Sequence, residues 1–241
     1  CIRDSLYRDN PSLTDEILKE LQILVTRREN GEPLAYIINK IGFWNLSLYV
    51  DHNVLVPRPE TETLVGVVLG IFDSKKRKIL DLGTGSGAIG LSLAKERTNW
   101  EVVCSDLSYE ALKVTSKNMN QNSLNLHLVN SNWLTAFKNE YFDVIISNPP
   151  YIDPSDPRVF SDGLKYEPIE ALVSDSAGLQ DIKNIVKEST EILNNTGYLF
   201  IEHGYDQCDD VVSIFKNYGF SQIRIYKDLN GYDRVLSLIH I

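Results

Sequence analysis

An amide, two prolines and an aromatic ring follow one another in Asn148-Pro149-Pro150-Tyr151, directly after the apolar run 142–147. The Asn148 side-chain oxygen and the Pro149 carbonyl can each accept a hydrogen bond, so together they can hold both protons of one NH₂ group. The prolines fix the direction of the backbone, and the Tyr151 ring offers a face to a planar group. These residues predict a site that grips a planar amide or amine nitrogen and favours positive charge developing on it.

A glycine-rich turn could hold the molecule that reacts with such a nitrogen. It reads Asp81-Leu82-Gly83-Thr84-Gly85-Ser86-Gly87 and leads from an apolar run into a helical pattern. Glycines let the backbone approach a ligand closely, and the free N–H groups at the following helix start suit an electron-rich ligand edge. Roughly 20 residues later a second apolar run ends at Asp106, where a carboxylate can accept hydrogen bonds from ribose hydroxyls.

Two cofactors fit this loop. Gly85-x-Gly87-x-x-Gly90 matches the dinucleotide fingerprint, in which Asp106 would bind the ribose of NAD. The alternative is the methyltransferase pattern of an acidic residue before three alternating glycines, in which Asp81 would orient the amino-acid part of S-adenosylmethionine directly or through water. The loop alone does not choose between them.

The Asn148–Tyr151 motif favours S-adenosylmethionine, because hydride transfer has no use for a grip on NH₂. An amide nitrogen is a poor nucleophile, since its lone pair is delocalised into the carbonyl. Positioning beside an electrophilic methyl group would supply much of the acceleration, and the nitrogen can lose its proton after transfer without a strong base. Asn132 and Trp133 could cover and read the adenine, although a tryptophan that caps the sheet is an alternative.

The elements that must position these residues follow from hydrophobic patterning. Strands are predicted at 78–83, 101–106, 126–130, 142–147, 197–203, 220–226 and 234–240, and helices at 14–29, 87–96, 108–121, 178–194 and 206–217. Alternation of strands and helices predicts an α/β fold with a seven-stranded, mostly parallel, Rossmann-like sheet. The last two strands have no helix between them, so we expect an antiparallel hairpin at one edge.

The chain before the sheet divides into two smaller parts. Residues 1–42 are expected to be the remnant of an N-terminal helical domain, because the helix at 14–29 has an apolar stripe that it cannot bury alone. A β-hairpin linker is expected at 43–57, with its strands in 43–56 and its turn at residues 51–53. The methyltransferase domain is then expected to occupy 58–241.

Composition limits the partners. The net charge of −9 disfavours phosphate backbones, so no direct contact with nucleic acid is expected. No apolar run is long enough to span a membrane, and residues 1–10 lack the apolar region of a signal peptide. Three distant cysteines indicate neither a disulfide framework nor a metal site. We therefore expect a cytoplasmic monomer without a bound metal.

Several further motifs make the chain resemble one family closely. They are Arg27-Arg28-x-x-Gly31-Glu32-Pro33-Leu34-Ala35-Tyr36, Phe43-Trp44, Leu55-Val56-Pro57-Arg58-Pro59-Glu60-Thr61-Glu62, Tyr166-Glu167-Pro168, Ala171-Leu172 and Glu202-His203-Gly204. With the glycine loop and the Asn148–Tyr151 motif, they resemble the HemK/PrmC family, the protein-(glutamine-N5) methyltransferases that modify class I peptide chain release factors. The resemblance covers nearly the whole chain, and the Pro-Arg-Pro-Glu-Thr segment is rare in other enzymes with Asn-Pro-Pro-Tyr.

The resemblance implies a class I methyltransferase fold and a substrate, the glutamine of the Gly-Gly-Gln loop of a class I release factor. It implies that S-adenosylmethionine contacts Gly83, Thr84, Gly85, Ser86, Gly87, Asp106, Trp133 and Asn148. It implies substrate contacts from Asn148, Pro149, Pro150 and Tyr151, with Arg58 and Glu60 in a wall of the active-site channel. Asn132 departs from the aspartate that the family usually has before the tryptophan, but an amide oxygen can also accept a hydrogen bond from adenine.

Three alternatives stay open at this stage. A related enzyme methylates a glutamine of a ribosomal large-subunit protein, although it departs from the Pro-Arg-Pro-Glu-Thr pattern. Adenine-N6 and other exocyclic-amine methyltransferases of nucleic acids also use Asn-Pro-Pro-Tyr, and they require a basic groove. A non-catalytic module that only holds a partner would bind no cofactor.

Overall fold

The computed structural model describes residues 14–161 and 163–239. Nine strands are present in this part: β1 Ile41–Phe43, β2 Leu46–Leu48, β3 Lys78–Leu82, β4 Glu101–Asp106, β5 His127–Asn130, β6 Phe142–Ser147, β7 Leu193–Glu202, β8 Ser221–Lys227 and β9 Asp233–Ile239. The eight α-helices are α1 Asp15–Glu29, α2 Leu34–Ile37, α3 Thr61–Ile71, α4 Ala88–Glu96, α5 Tyr109–Gln121, α6 Asp175–Gly178, α7 Gln180–Ile192 and α8 Cys208–Asn217.

Seven strands form one sheet in the order β5-β4-β3-β6-β7-β9-β8. The first five of these are parallel to one another, and β9 runs antiparallel to β7 and to β8. The predicted α/β sheet and its antiparallel edge hairpin are therefore confirmed. Because β3 and β6 are neighbours, the glycine loop after β3 and the Asn148–Tyr151 motif after β6 lie side by side.

The sheet is covered by helices on both faces, and alternate residues of its strands lie in two separate cores. In β3, Ile79 packs with residues of α3 and α4, whereas Leu80 and Leu82 pack with residues of α7 and α8. This alternation follows from the two-residue repeat of a strand. A strand buried on both faces is held rigidly, so its carboxyl end is a fixed platform for catalytic side chains.

The hairpin before the sheet differs from its predicted position. β1 and β2 pair through Phe43 and Leu46, so the turn lies at Trp44 and Asn45 instead of at residues 51–53. Trp44 has a left-handed backbone with φ of 53°, which a pattern of alternating side chains does not reveal. Residues 51–53 do turn, because the Asp51 side chain accepts hydrogen bonds from Asn53, but no strand follows them.

Two helical predictions also need correction. The segment after Pro59 was not predicted as a helix, yet α3 begins at Thr61 and buries Leu64, Val65 and Val68. The helix predicted at 178–194 ends at Ile192, because Leu193 pairs with Phe142 and begins β7 four residues earlier than predicted. The other predicted elements of the sheet domain begin and end within two residues of the observed ones.

The N-terminal helix α1 exposes its whole apolar stripe, and none of its residues is buried. By contrast, α2 packs Ala35 and Tyr36 against Val54 and Val56, and this cluster rests on α5. The division of the chain at residues 42 and 57 into three domains stays a proposal. None of the helices in the described residues is both long enough and apolar enough to cross a membrane.

Candidate active site

A cavity of about 780 Å³ opens at the carboxyl ends of β3, β4 and β6. This volume is typical of sites for small molecules and cofactors, and open parallel sheets bind ligands at this position. Most of the predicted site residues line it: Gly83, Thr84, Gly85, Ser86, Asp106, Asn132, Trp133, Asn148 and Pro150.

The glycine loop forms one wall because its backbone takes conformations that other residues rarely adopt. Gly83 and Gly85 have φ of 73° and 55°, in the left-handed region that glycine enters without steric cost. The N–H groups of Gly83 and Thr84 both donate to the Ser105 carbonyl at 2.9 Å. The loop is thus anchored to the end of β4, and its outer surface faces the cavity.

Asp81 lies beneath the loop instead of in the cavity lining. Its Oδ2 accepts hydrogen bonds from the Thr84 hydroxyl at 2.6 Å and from the Gly90 N–H at 2.8 Å. Complete burial raises the pKa of Asp81 to about 6, although these two hydrogen bonds oppose the shift. Asp81 therefore joins the loop to α4, and its predicted contact with the cofactor stays a prediction. Gly87 likewise packs behind the loop, against Leu91.

Asp106 ends β4 with its carboxylate at the cavity. Oδ2 accepts from the Gly85 N–H at 2.9 Å, and Oδ1 accepts from the Ser108 N–H at 2.8 Å. Burial raises the pKa of Asp106, and the backbone hydrogen bonds counter it. Each carboxylate oxygen has a further lone pair, so both can still accept from hydroxyl groups of a ligand.

Trp133 lines the cavity with its indole ring over Gly83. A Cβ atom at Gly83 would lie 3.3 Å from the ring carbon Cζ3, so only glycine lets the ring approach this closely. Trp133 has φ of 43°, and its Nε1 donates to Asp181 at 3.0 Å. The ring is therefore held from two sides. Asn132 is exposed at the rim of the same cavity.

Asn148 borders two cavities at once. It lines the large cavity and also a smaller one of about 200 Å³. Its Nδ2 donates to the Thr61 hydroxyl at 3.2 Å, while its Oδ1 is buried and has no hydrogen-bond partner in the described part of the chain. Leaving a buried acceptor unpaired costs about 1–3 kcal/mol. This oxygen is therefore suited to a donor that a ligand brings.

The smaller cavity is lined by three more of the predicted substrate residues. Pro149, Tyr151 and Arg58 line it, together with Leu164 and Leu172 from the loop after β6. Burial raises the pKa of Tyr151 to about 12, so the phenol stays neutral and offers a flat apolar face at neutral pH. Among the predicted substrate residues, Pro150 lines the large cavity instead.

An ion pair fixes Arg58, one of the residues that line the smaller cavity. The Arg58 guanidinium bonds to Glu167 Oε1 at 2.5 Å, and Glu167 Oε2 accepts from the Val56 N–H at 3.0 Å. Glu167 is buried, whereas Arg58 is one-third exposed. Glu60 does not line either of the two cavities, so its predicted contact with substrate stays a prediction.

Four residues that support the site were missed by the sequence prediction. Thr61 and Glu167 lie within motifs of the family resemblance, which was the only signal for them. Thr115 and Asn118 in α5 donate to the carbonyls of Gly85 and Ser86 at 2.8 Å each, and nothing in the sequence pattern marks them, because they read as ordinary polar positions of a helix.

The loop after Tyr151 uses its aspartates to shape its own backbone. Asp153 accepts from the Ser155 N–H, and Asp156 accepts from the N–H and the side chain of Arg158. The third aspartate of this loop, Asp162, lies outside the described residues. No group of three or more histidine, cysteine or acidic side chains in residues 14–161 and 163–239 could hold a metal ion.

These residues fit S-adenosylmethionine. A carboxylate faces the place of a ribose, an indole ring offers a flat apolar surface for a purine, and a glycine loop allows close backbone approach. Asn148, whose Oδ1 has no hydrogen-bond partner in the described residues, lines both cavities, so a group in each cavity could meet beside this side chain.

Comparison with known proteins shows the same fold. A family profile described as "Methyltransferase small domain" matches residues 62–161. The structure of a methyltransferase from Pyrococcus furiosus aligns with a TM-score of 0.62 at 18% identity, covering 93% of this chain and 99% of the other. The 16S rRNA N2 G1207 methyltransferase of T. Thermophilus, solved with AdoMet and guanosine, aligns with a TM-score of 0.61 at 19% identity, covering 84% and 50% of the two chains.

Comparison of sequences identifies the family. The release factor glutamine methyltransferase of Buchnera aphidicola from Acyrthosiphon pisum is 43% identical over 94% of this chain and 82% of its own length. The release factor glutamine methyltransferase of Escherichia coli K12 is 38% identical over 92% of this chain and 81% of its own length. With this identity over four-fifths of each relative, the chain belongs to the release factor glutamine methyltransferase family.

Proposed function

We propose that the protein transfers a methyl group from S-adenosylmethionine to the side-chain amide nitrogen of the glutamine in the Gly-Gly-Gln loop of a class I release factor. The observation that carries this proposal is the buried Oδ1 of Asn148, which has no hydrogen-bond partner in the described residues and belongs to a side chain that borders both cavities. Membership of the family supports the choice of substrate.

The two cavities have separate roles in this proposal. S-adenosylmethionine, when bound, supplies an electrophilic methyl group on its sulfonium sulfur. Asp106 would accept hydrogen bonds from the ribose of the cofactor, and Trp133 and Asn132 would contact its adenine. The backbone of the glycine loop would approach the cofactor closely. The glutamine side chain would enter the smaller cavity, where the ion pair with Glu167 fixes the lining residue Arg58.

Asn148 and Pro149 perform the chemical positioning. The Asn148 Oδ1 and the Pro149 carbonyl accept the two N–H bonds of the glutamine amide, which turns the nitrogen lone pair towards the methyl group. Both acceptors stabilise the positive charge that develops as the nitrogen–carbon bond forms and the carbon–sulfur bond breaks. The nitrogen then releases one proton to water. Tyr151 stacks on the planar amide and excludes solvent.

The test is methylation of a purified class I release factor with isotope-labelled S-adenosylmethionine. Mass spectrometry of the peptide with the Gly-Gly-Gln sequence should locate one added methyl on the glutamine. A release factor with Gln→Ala in that sequence is the matched control and should stay unlabelled. Labelling elsewhere in the control protein would show a different target.

Two further substrates distinguish the alternatives. The enzyme is incubated under the same conditions with ribosomal large-subunit protein and with adenine-containing nucleic acid. One related enzyme methylates a glutamine of the ribosomal protein, and others methylate exocyclic amines of nucleic acids. We expect at least a hundredfold preference for the release factor in kcat/KM. Equal or faster transfer to nucleic acid would overturn the proposal, and absence of calorimetric binding of S-adenosylmethionine would reduce the protein to a binding module.

A further inference from the structure

A buried carboxylate lies next to the site without contributing to the lining of either cavity. Glu202 is the last residue of β7, the strand beside β6, and it is 1% exposed. Its Oε2 has no hydrogen-bond partner in the part of the chain that the structure describes. A buried carboxylate is costly unless it is paired, so the position of Glu202 calls for a physical reason.

The groups around Glu202 come from α3, from β9, from the residues just before these two elements, and from the loop after β6. In that loop, burial and the charge of Glu202 both raise the pKa of Tyr151. The Thr61 hydroxyl at the start of α3 hydrogen-bonds to Glu202, and the charges of Arg234 in β9, Glu60 before α3 and Asp228 before β9 act on it through space. Arg234 forms its ion pair with Asp228 at 3.3 Å. The direct contact that favours the charged form of Glu202 is therefore the one with Thr61.

Thr61 contacts both Glu202 and Asn148. A hydroxyl group has a single proton. When that proton is donated to the Glu202 carboxylate, the Thr61 oxygen can only accept from Asn148. The group of the Asn148 side chain that can donate to it is the NH₂, whose nitrogen lies 3.2 Å from the Thr61 oxygen. The amide must then face Thr61 with its nitrogen and point its oxygen the other way.

We propose that Glu202 is a positioning residue, which acts through Thr61 to hold the Asn148 amide with its oxygen towards the substrate nitrogen. The three groups form a one-way chain of hydrogen bonds, from the Asn148 NH₂ to the Thr61 oxygen and from the Thr61 hydroxyl to the carboxylate. The inference rests on the proposed function only for the identity of the substrate nitrogen.

Protonation of Glu202 would remove this direction. A carboxylic acid can donate to Thr61, and the freed hydroxyl proton can then bond to the Asn148 oxygen. The flipped amide would present its NH₂ to the substrate NH₂, and two donors cannot bond. Burial raises the pKa of Glu202 to about 7, while the Thr61 hydrogen bond and Arg234 oppose the rise and Glu60 and Asp228 add to it. Methyl transfer should therefore decline as the pH falls through about 7.

The kinetic experiment compares Glu202→Gln, Thr61→Val and Thr61→Ser in the full chain, with a purified class I release factor as substrate between pH 6 and 9. We expect kcat to fall at least tenfold in Glu202→Gln and Thr61→Val, with Kd for S-adenosylmethionine within threefold of wild type. Thr61→Ser keeps the hydroxyl and should retain most of the activity. Ser189→Ala removes another buried hydroxyl, on the distant α7, and should change nothing.

Two further results belong to the kinetic test. The double variant Glu202→Gln/Thr61→Val should be no slower than the worse single variant, because both act on one chain of hydrogen bonds: glutamine can donate as well as accept, which removes the direction, and valine removes the hydroxyl. The acid limb of the pH profile should disappear in Glu202→Gln. Wild-type kcat together with an unchanged acid limb in that variant would overturn the proposal.

A spectroscopic measurement on the wild-type protein needs neither substrate nor variant stability. The Glu202 carboxyl carbon and the Asn148 side-chain NH₂ are followed by nuclear magnetic resonance as the pH is lowered. Both signals should shift with one shared midpoint near 7, and independent midpoints would refute the coupling. If wild type fails to methylate the release factor while the two signals titrate together, the proposed substrate is wrong and the positioning role stands.

Discussion

The side-chain nitrogen of Asn148 lies 3.2 Å from the hydroxyl of Thr61, although 87 residues separate the two along the chain. This contact brings the start of α3 to the candidate active site. Thr61 holds the Asn148 amide from one side, and three residues earlier Arg58, which lines the smaller cavity, forms an ion pair with the buried Glu167. The segment around Pro57 and Pro59, which looks like a charged linker in the sequence, thus contacts both Asn148 and the lining of the smaller cavity.

Replacement of Asn148 by alanine should abolish the grip on the substrate amide. We expect kcat to fall about 10²–10³-fold, which is the usual effect of removing one preorganised hydrogen-bonding group that stabilises developing charge. The measurement is single-turnover methylation of a release factor with saturating S-adenosylmethionine. Asn120→Ala, on the exposed side of α5, is the matched control. A loss below threefold at Asn148 would contradict the assigned role.

Arg58→Met should separate substrate binding from cofactor binding. Arg58 lines the smaller cavity but not the large one, and it forms an ion pair with Glu167, so its loss should loosen the wall of the proposed glutamine channel. We expect KM for the release factor to rise about tenfold, as if roughly 1.4 kcal/mol of binding were lost, while Kd for S-adenosylmethionine stays within threefold. Kinetics and calorimetry measure the two quantities.

The exposed ion pair between Lys113 and Glu110 on α5 supplies the control for Arg58. Lys113→Met removes a cation of an ion pair that lies in solvent, and such pairs contribute little. It should leave KM and Kd at their wild-type values. Equal effects of the Arg58 and Lys113 substitutions would show that charge in general, and not the channel wall, governs binding.

Gly90→Ala should destabilise the protein by about 1–3 kcal/mol, the usual cost of overfilling a packed core. A methyl group there would overlap the Cys104 sulfur and lie 3.0 Å from Asp81 Oδ2, so α4 must move away from β3 and β4. Urea unfolding measures the loss. Gly70→Ala is the control, because nothing lies within 4 Å of its added Cβ in α3, and alanine there should stabilise by about 0.5–1 kcal/mol.

A second substitution locates the origin of the Gly90 effect. Cys104→Ala removes the atom that the new methyl group meets first. In the Cys104→Ala background, Gly90→Ala should cost less than it does in the wild-type protein, with a coupling of at least about 0.5 kcal/mol. Strict additivity of the two substitutions would contradict the packing explanation.

Sequence patterns predicted the sheet well because its strands are buried on both faces and its helices are amphipathic. They placed the hairpin turn wrongly, since the left-handed backbone of Trp44 leaves no trace in residue type. They missed α3 because Pro57 and Pro59 indicate an irregular segment, although a proline just before Thr61 is compatible with a helix start.

The site was predictable to the extent that chemistry needs fixed residue types. A motif reveals Asn148 and the glycine loop, because their spacing is local. The contacts of Asn148 with Thr61 and of Arg58 with Glu167 join segments 87 and 109 residues apart, and only the fold brings such segments together. The sequence position of Asp81 likewise does not reveal its hydrogen bonds to Thr84 and Gly90, which join the glycine loop to α4, while its predicted ligand contact stays a prediction.

Burial of Glu202 should make the protein less stable as the pH rises. Its pKa is about 7 in the folded protein against 4.5 as its ordinary value, so between these values the folded state binds more protons than the unfolded state. The contribution to stability is fully present below about pH 4.5 and is lost as the pH rises through about 7, at roughly 1 kcal/mol per pH unit at most. Glu202→Gln carries no charge and should lose this dependence. Urea unfolding of both proteins at pH 5 and pH 8 should therefore show the variant gaining a few kcal/mol relative to wild type at the higher pH, and a constant difference between the two proteins would show that Glu202 does not change its protonation in this range.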